Sequence, residues 1–194
     1  MFDTIILLTG PAEQAVLAAA LRRYNLKLSF HGVSSLAEID ALGIDLLARA
    51  RLIGFVTPVV VPKRILNALG YGAYNFHPGP PQHPGWLPAY FAIHDRTSYF
   101  GATAHVMIER VDAGPIVGVE RFRIQPHVGF AELEQLSYIE SARLFWKLAR
   151  PLAANAEPLE ELPVHWSGRK GTRRMYAALC DIAAAEQAVL RRAS

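Results

Sequence analysis

Cys180 is the only cysteine in 194 residues. An intramolecular disulfide framework is therefore excluded, which fits a reducing compartment. No apolar run approaches the ~18 residues needed to cross a bilayer. The opening Met1-Phe2-Asp3-Thr4 carries no cationic region and precedes a short apolar run, so it reads as a first strand and not as a signal peptide. A cytoplasmic protein without a membrane partner is expected. The net charge of +3 is too diffuse to predict nucleic-acid binding. The first turn, Gly10-Pro11-Ala12-Glu13, lacks G-x-G-x-x-G, so its backbone is not shaped to approach a dinucleotide pyrophosphate. There is no H-E-x-x-H, and the spacings of His77, His83, His94 and His105 match no zinc pattern, so no metal is expected. Internal repeats and low-complexity tracts are absent too. What remains, 52% hydrophobic and 19% charged, suits one well-buried globular domain.

The apolar pattern predicts strands at Thr4–Leu8, Leu26–Phe30, Leu52–Val56 and Ala73–Phe76. Between them it predicts helices over Glu13–Tyr24, from Ser34 or Ser35 to about Arg49, and from Pro62 to Leu69. Glu38 is spaced for a capping box. This alternation argues an α/β fold: a Rossmann-like, mostly parallel sheet with helices on both faces. Gly101–Ile108 and Val117–Ile124 should add antiparallel strands near its C-terminal end. A short helix over Leu87–His94, a long amphipathic helix over Phe130–Leu148 and an alanine-rich helix from about Tyr176 to Arg192 complete the reading. A domain over 1–150 is expected, with 151–194 an extension whose helix packs on the same body. Cys180 in that last helix reads as a small core residue. The run Arg169-Lys170-Gly171-Thr172-Arg173-Arg174 reads as a solvated stretch, with contact to phosphate, an acidic substrate or RNA as the alternative.

Asn75 and His77 lie two apart on a strand, so their side chains leave the same face. Pro78 holds His77 extended and ends the strand there. That is the carboxyl end of a strand, where open α/β sheets take their ligands. Asp112, in the turn Val111-Asp112-Ala113-Gly114-Pro115, could supply the carboxylate such a histidine needs. A turn cap, a rim histidine and a turn aspartate would look the same in sequence. Thr103 and His105, on the polar face of the following strand, either line this site or meet solvent and helix. Pro78–Pro88, with five prolines, reads as an ordered, irregular loop of the kind that carries function.

With these residues in view, the chain resembles the folate-dependent formyltransferase family in four places: Leu52-Ile53-Gly54-Phe55, Asn75-Phe76-His77-Pro78, Phe100–His105 and Val111–Ile116. The resemblance implies 10-formyltetrahydrofolate as formyl donor and an amine as acceptor. It implies Asn75 and His77 as hydrogen-bond donors to a tetrahedral oxyanion, with Asp112 holding the His77 tautomer and relaying the proton. It places the pterin against Phe55, Val56, Thr57 and the backbone at Val111, and requires no metal. Where many members continue Ser-Leu-Leu-Pro after His-Pro, this chain has Gly79-Pro80-Pro81-Gln82-His83-Pro84-Gly85. That loop puts His83 and Trp86 beside an unusual acceptor. The first turn has lost the glycines that cradle the phosphate of glycinamide ribonucleotide, and Glu13 would repel it. The residues after Ile124 are too few for the further domain of members that act on initiator methionyl-tRNA. The expectation is an N-formyltransferase for a small amine, such as an amino sugar or an ornithine-like compound. Hydrolysis of the formyl folate, or folate binding without catalysis, are the alternatives.

Overall fold

In Thr4–Leu8 (β1) all five residues are buried, and alternate side chains enter two different cores. Ile5 and Leu7 join one; Ile6 and Leu8 join the other. A strand can be apolar throughout only when both its faces are covered. The computed structural model, which describes residues 1–182, provides both covers. Helices Pro11–Arg22 (α1) and Phe130–Ala154 (α6) contribute to the first core. Leu36–Ala41 (α2), Ile44–Leu47 (α3) and Lys63–Ala68 (α4) contribute to the second.

The sheet is completed by Ser29–Val33 (β2), Ala50–Phe55 (β3), Ala73–His77 (β4), Tyr99–Val106 (β5) and Ile116–Arg123 (β6), in the order β2-β1-β3-β4-β5-β6. The first four strands are parallel, whereas β4–β5 and β5–β6 are antiparallel. The sheet thus changes direction at β4, with Asn75 opposite His105 and His77 opposite Thr103. Pro88–His94 (α5) packs Ala89 and Ala92 against Phe100 and Leu133 at this end.

Several boundaries differ from the sequence expectation, each for a local reason. The second strand starts at Ser29 and not at Leu26, because Asn25 Oδ1 accepts from the Lys27 amide in a turn that leaves Leu26 outside. The helix expected up to Arg49 breaks into α2 and α3 at Gly43, whose φ of +79° restarts the chain at a conformation suited to glycine. Ser35 caps α2 by accepting from the Glu38 amide, while the Glu38 carboxylate reaches past the cap to the Ser34 amide. Pro62 is the N-cap of α4 and not its first residue.

The long helix runs past Leu148, through Pro151, to Ala154, crossing residue 150. Its last carbonyls are gathered by Arg51, whose guanidinium donates to Leu152, Asn155, Ala156 and Glu157 oxygens. The chain then returns to the sheet, where the Leu159 amide donates to the Tyr74 hydroxyl. A helix at 173–182 follows. Cys180 on it is exposed, not a core residue, because this helix presents that position to solvent. The remainder of the helix expected up to Arg192 lies outside the described residues. Among the described residues no helix is long and apolar enough to cross a membrane.

Candidate active site

β4 delivers Asn75 and His77 to one edge of a cavity of about 580 Å³, and the turn after β5 delivers Asp112 to the same edge. Asp112 bridges two imidazoles. Its Oδ2 is 3.5 Å from His77 Nδ1, and its Oδ1 is 3.2 Å from His105 Nε2. All three side chains are buried. Asp112 Oδ2 also accepts from the Gly85 amide at 2.8 Å, which fastens the proline-rich loop to the carboxylate. Asp112 takes this position with φ +47°; Val56 and Leu87, which also border the cavity, have φ +46° and +49°. Left-handed backbone is rare outside glycine, and for a β-branched valine it is costly. Three such residues around one cavity mark it as a place where the fold spends stability on shape.

Burial alone would raise the Asp112 carboxyl. The charge of His77, the hydrogen bond and charge of His105, and the Gly85 amide outweigh burial and hold it down at about 2. It is therefore an acceptor-only carboxylate at neutral pH. Burial depresses His77 below the ordinary histidine value, with Asp112 and the His83 carbonyl acting against that fall. Neutral His77 uses Nε2–H to donate to the His83 carbonyl at 2.9 Å. Its Nδ1 lone pair is left beside Asp112 and open to a proton that the carboxylate would stabilise.

Both ring nitrogens of His105 face acceptors as well: Nδ1 the Val106 carbonyl at 2.9 Å, Nε2 the Asp112 carboxylate. Asn75 Nδ2 lies 3.3 Å from that same Nε2, and Asn75 Oδ1 is buried without a partner among the described residues. A half-turn of the carboxamide, which exchanges atoms of equal size, brings its oxygen to the Nε2–H that also faces Asp112 and leaves its NH₂ as the group without a partner among the described residues.

Among the residues expected to hold a pterin, Val56, Thr57 and Val111 line the cavity. Phe55 does not. It is in the core, edge-on to Tyr138 and Phe145, because odd and even positions of β3 face opposite sides of the sheet. Trp86 and His105 line the cavity, whereas the side chains of Thr103 and His83 do not. Thr103 is fully buried and donates to the Gly79 carbonyl at 2.7 Å, holding the loop. His83 is turned inward against Phe100, and only its backbone reaches His77. The basic run is not simply solvated, since Lys170 and Arg173 line the cavity together with Arg110.

A further participant carried no sequence signal. Trp166, from the segment after α6, stands edge-on to His77 (centroids 5.7 Å apart) and to His105 (5.0 Å). It is brought there by contacts remote in sequence, so neither motif nor periodicity could have found it.

A protein-family model described as "Formyl transferase" matches residues 36–141. Methionyl-tRNA formyltransferase from Pediococcus pentosaceus is 27% identical over 160 residues, 80% of this chain and 48% of that protein. The Thermotoga neapolitana methionyl-tRNA formyltransferase is 28% identical over 121 residues, 62% of this chain and 36% of the relative. The chain thus spans about half the length, or less, of these curated relatives. Among solved structures, a sugar N-formyltransferase from Shewanella superposes with TM-score 0.73 at 15% identity, over 93% of this chain and 80% of the other. The formyltransferase PseJ from Anoxybacillus kamchatkensis, solved with UDP-4,6-dideoxy-4-formamido-L-AltNAc and tetrahydrofolate, superposes with TM-score 0.71 at 17% identity, over 91% and 89% of the two chains.

Proposed function

The chain belongs to the formyl transferase family, and on that premise we propose that it transfers a formyl group from 10-formyltetrahydrofolate to the amine of a small acceptor, an amino sugar. The observation that carries this reading is the Asn75–His77–Asp112 cluster at the cavity edge, with one end of the Asn75 amide unmatched among the described residues. A buried, unpaired amide group is costly; in the half-turned orientation its NH₂ would donate to a formyl oxygen. The folinic acid and tetrahydrofolate found with two fold neighbours support the donor, and the formamido sugar found with PseJ supports the acceptor.

The donor, when bound, supplies a formyl carbon on a nitrogen able to leave. Val56, Thr57 and Val111 would wall its ring. Asn75 donates to the oxygen as negative charge develops on it, an interaction stronger in the transition state than before it. His77 takes the proton of the attacking amine on Nδ1, where the Asp112 carboxylate stabilises the imidazolium, and returns it toward the departing nitrogen. The new bond is amine nitrogen to formyl carbon; the bond broken is formyl carbon to folate nitrogen.

The full chain incubated with 10-formyltetrahydrofolate and a panel of free and nucleotide-linked amino sugars should yield formylated product by mass spectrometry. Asn75→Ala should lower kcat by roughly 10²–10³-fold. Formate released equally with and without amine would replace transfer by hydrolysis. Unchanged donor with every acceptor would sink the reading.

A further inference from the structure

Trp166 sits on a strap that ties together the two halves of the site. The Leu162 amide donates to the Ile116 carbonyl at 2.7 Å, Ser167 donates to Pro81 at 2.9 Å, and Lys170 Nζ donates to the Val111 carbonyl at 2.8 Å. Beyond these, Trp86 donates to Gly171 and Gly171 donates to Pro84. The strap is therefore pinned to both the Asp112 turn and the proline-rich loop. The indole is fixed as well, since Nε1–H donates to the Gly114 carbonyl at 2.8 Å. Its ring meets His77 at 72° and His105 at 86°, the edge-to-face arrangement that aromatic rings favour.

Behind the indole lies a second cavity of about 550 Å³, lined by Trp166, Glu161, His165, Ser167 and the outer side of the Asp112 turn. Asn75, His77 and His105 border the first cavity and not this one. Trp166 thus both lines this open cavity and stands edge-on to two buried imidazoles. We infer that Trp166 is a positioning residue for the His77–Asp112–His105 cluster: its ring fixes both imidazoles and keeps the water of the second cavity off them. It lies outside residues 36–141 matched to the family model. The charged and titratable groups facing His77 are Asp112, His105, His83 and Lys170. Its effect on His77 is exclusion of water and restraint of the ring.

The kinetic arm of the test rests on the formyl-transfer reading; the spectroscopic arm does not. Trp166→Leu and Trp166→Phe are made in the full chain, with Trp146→Phe on the exposed side of α6 as control. Histidine ring proton shifts are followed against pH in ligand-free protein. In Trp166→Leu the His77 titration should move upward, toward an ordinary histidine, because water reaches the ring. In the same variant kcat should fall about tenfold with the donor KM nearly unchanged, since misplacing a reacting group acts on turnover. Trp166→Phe, which keeps a ring in place, should restore most of both. His77 and His105 titrations that superpose on those of the unaltered protein in folded Trp166→Leu would overturn the inference. So would a kcat loss that Trp166→Phe does not recover. Should Trp166→Leu fail to fold, 5-fluorotryptophan in the unaltered sequence decides the matter: the Trp166 fluorine signal should titrate with His77, and a flat signal overturns the wall. A moved His77 titration without formyl transfer upholds the wall and removes the reaction.

Discussion

Arg51 is a fully buried cation whose partners among the described residues are carbonyls and not carboxylates. Its guanidinium lies over the Phe2 ring at 4.8 Å. Five N–H donors in a rigid fork suit this diverging set of oxygens, and lysine could not reproduce it. Apart from the Tyr71 carbonyl, these acceptors belong to the end of α6 and the residues just after it, the negative end of the helix dipole. Arg51→Met should cost about 3–5 kcal/mol, because it strands buried carbonyls, and Arg51→Lys should recover little of it. Urea unfolding at neutral pH measures both. Nothing in the sequence announced this role. Arg51 stands next to the predicted strand at Leu52, and most of its partners lie about a hundred residues away. Asn75, His77 and Asp112 were legible for the opposite reason. Strand period, Pro78 and turn chemistry fix each of them locally, so their meeting followed once the order of strands was known.

At the scale of elements, the seam between the proline-rich loop and the strap is sensitive to a single change. Gly85 pairs with Gly171 in an isolated parallel bridge. It has φ +93°, and a Cβ there would come within 2.3 Å of the Gly171 carbonyl. Gly85→Ala therefore combines backbone strain with a backbone clash, and should destabilise by roughly 1–3 kcal/mol. Its amide is also the one that Asp112 holds. Amide exchange should accelerate at Trp86 and Gly171, the two donors of the seam, while that of β1 is unchanged. Equal acceleration everywhere would show the seam to be no separate element. Helix and strand existence was readable from the apolar pattern, whereas this seam was not, since Gly, Pro and Ser carry no periodicity with which to find a partner. Boundaries failed where one side chain or one glycine intervened, as at Asn25 and Gly43.

For the whole molecule, two buried groups make stability fall with acid in two stages. Unfolded His77 takes a proton near 6.5, whereas burial delays this in the native state, so stability declines as pH falls below 6.5. Asp112 titrates at 3.8 when unfolded and at about 2 when folded. Its contribution, about 2 kcal/mol, is present above 3.8 and is lost as pH drops toward about 2. Urea midpoints at pH 7, 5 and 3 should decrease throughout. Asp112→Asn should lose less than the unaltered protein between pH 5 and 3. Parallel declines in the two proteins would place the acid sensitivity elsewhere. The whole-molecule reading from sequence succeeded for sheet type and helix placement on both faces. It missed that residues after Pro151 return to the sheet at Leu159 and to the site at Trp166, because their attachment is made of backbone bonds and one ring.

The order of these pieces along the chain has a consequence for synthesis. Asn75, His77, His105 and Asp112 emerge from the ribosome well before the indole that stands over the imidazoles. At roughly 5–20 residues per second, the roughly fifty residues from Asp112 to Trp166 take about 3–10 s to make. During that interval a nascent chain can hold the whole polar cluster while its outer side is still open to solvent. The histidine pair is born wet and is dried by its own carboxyl-terminal third.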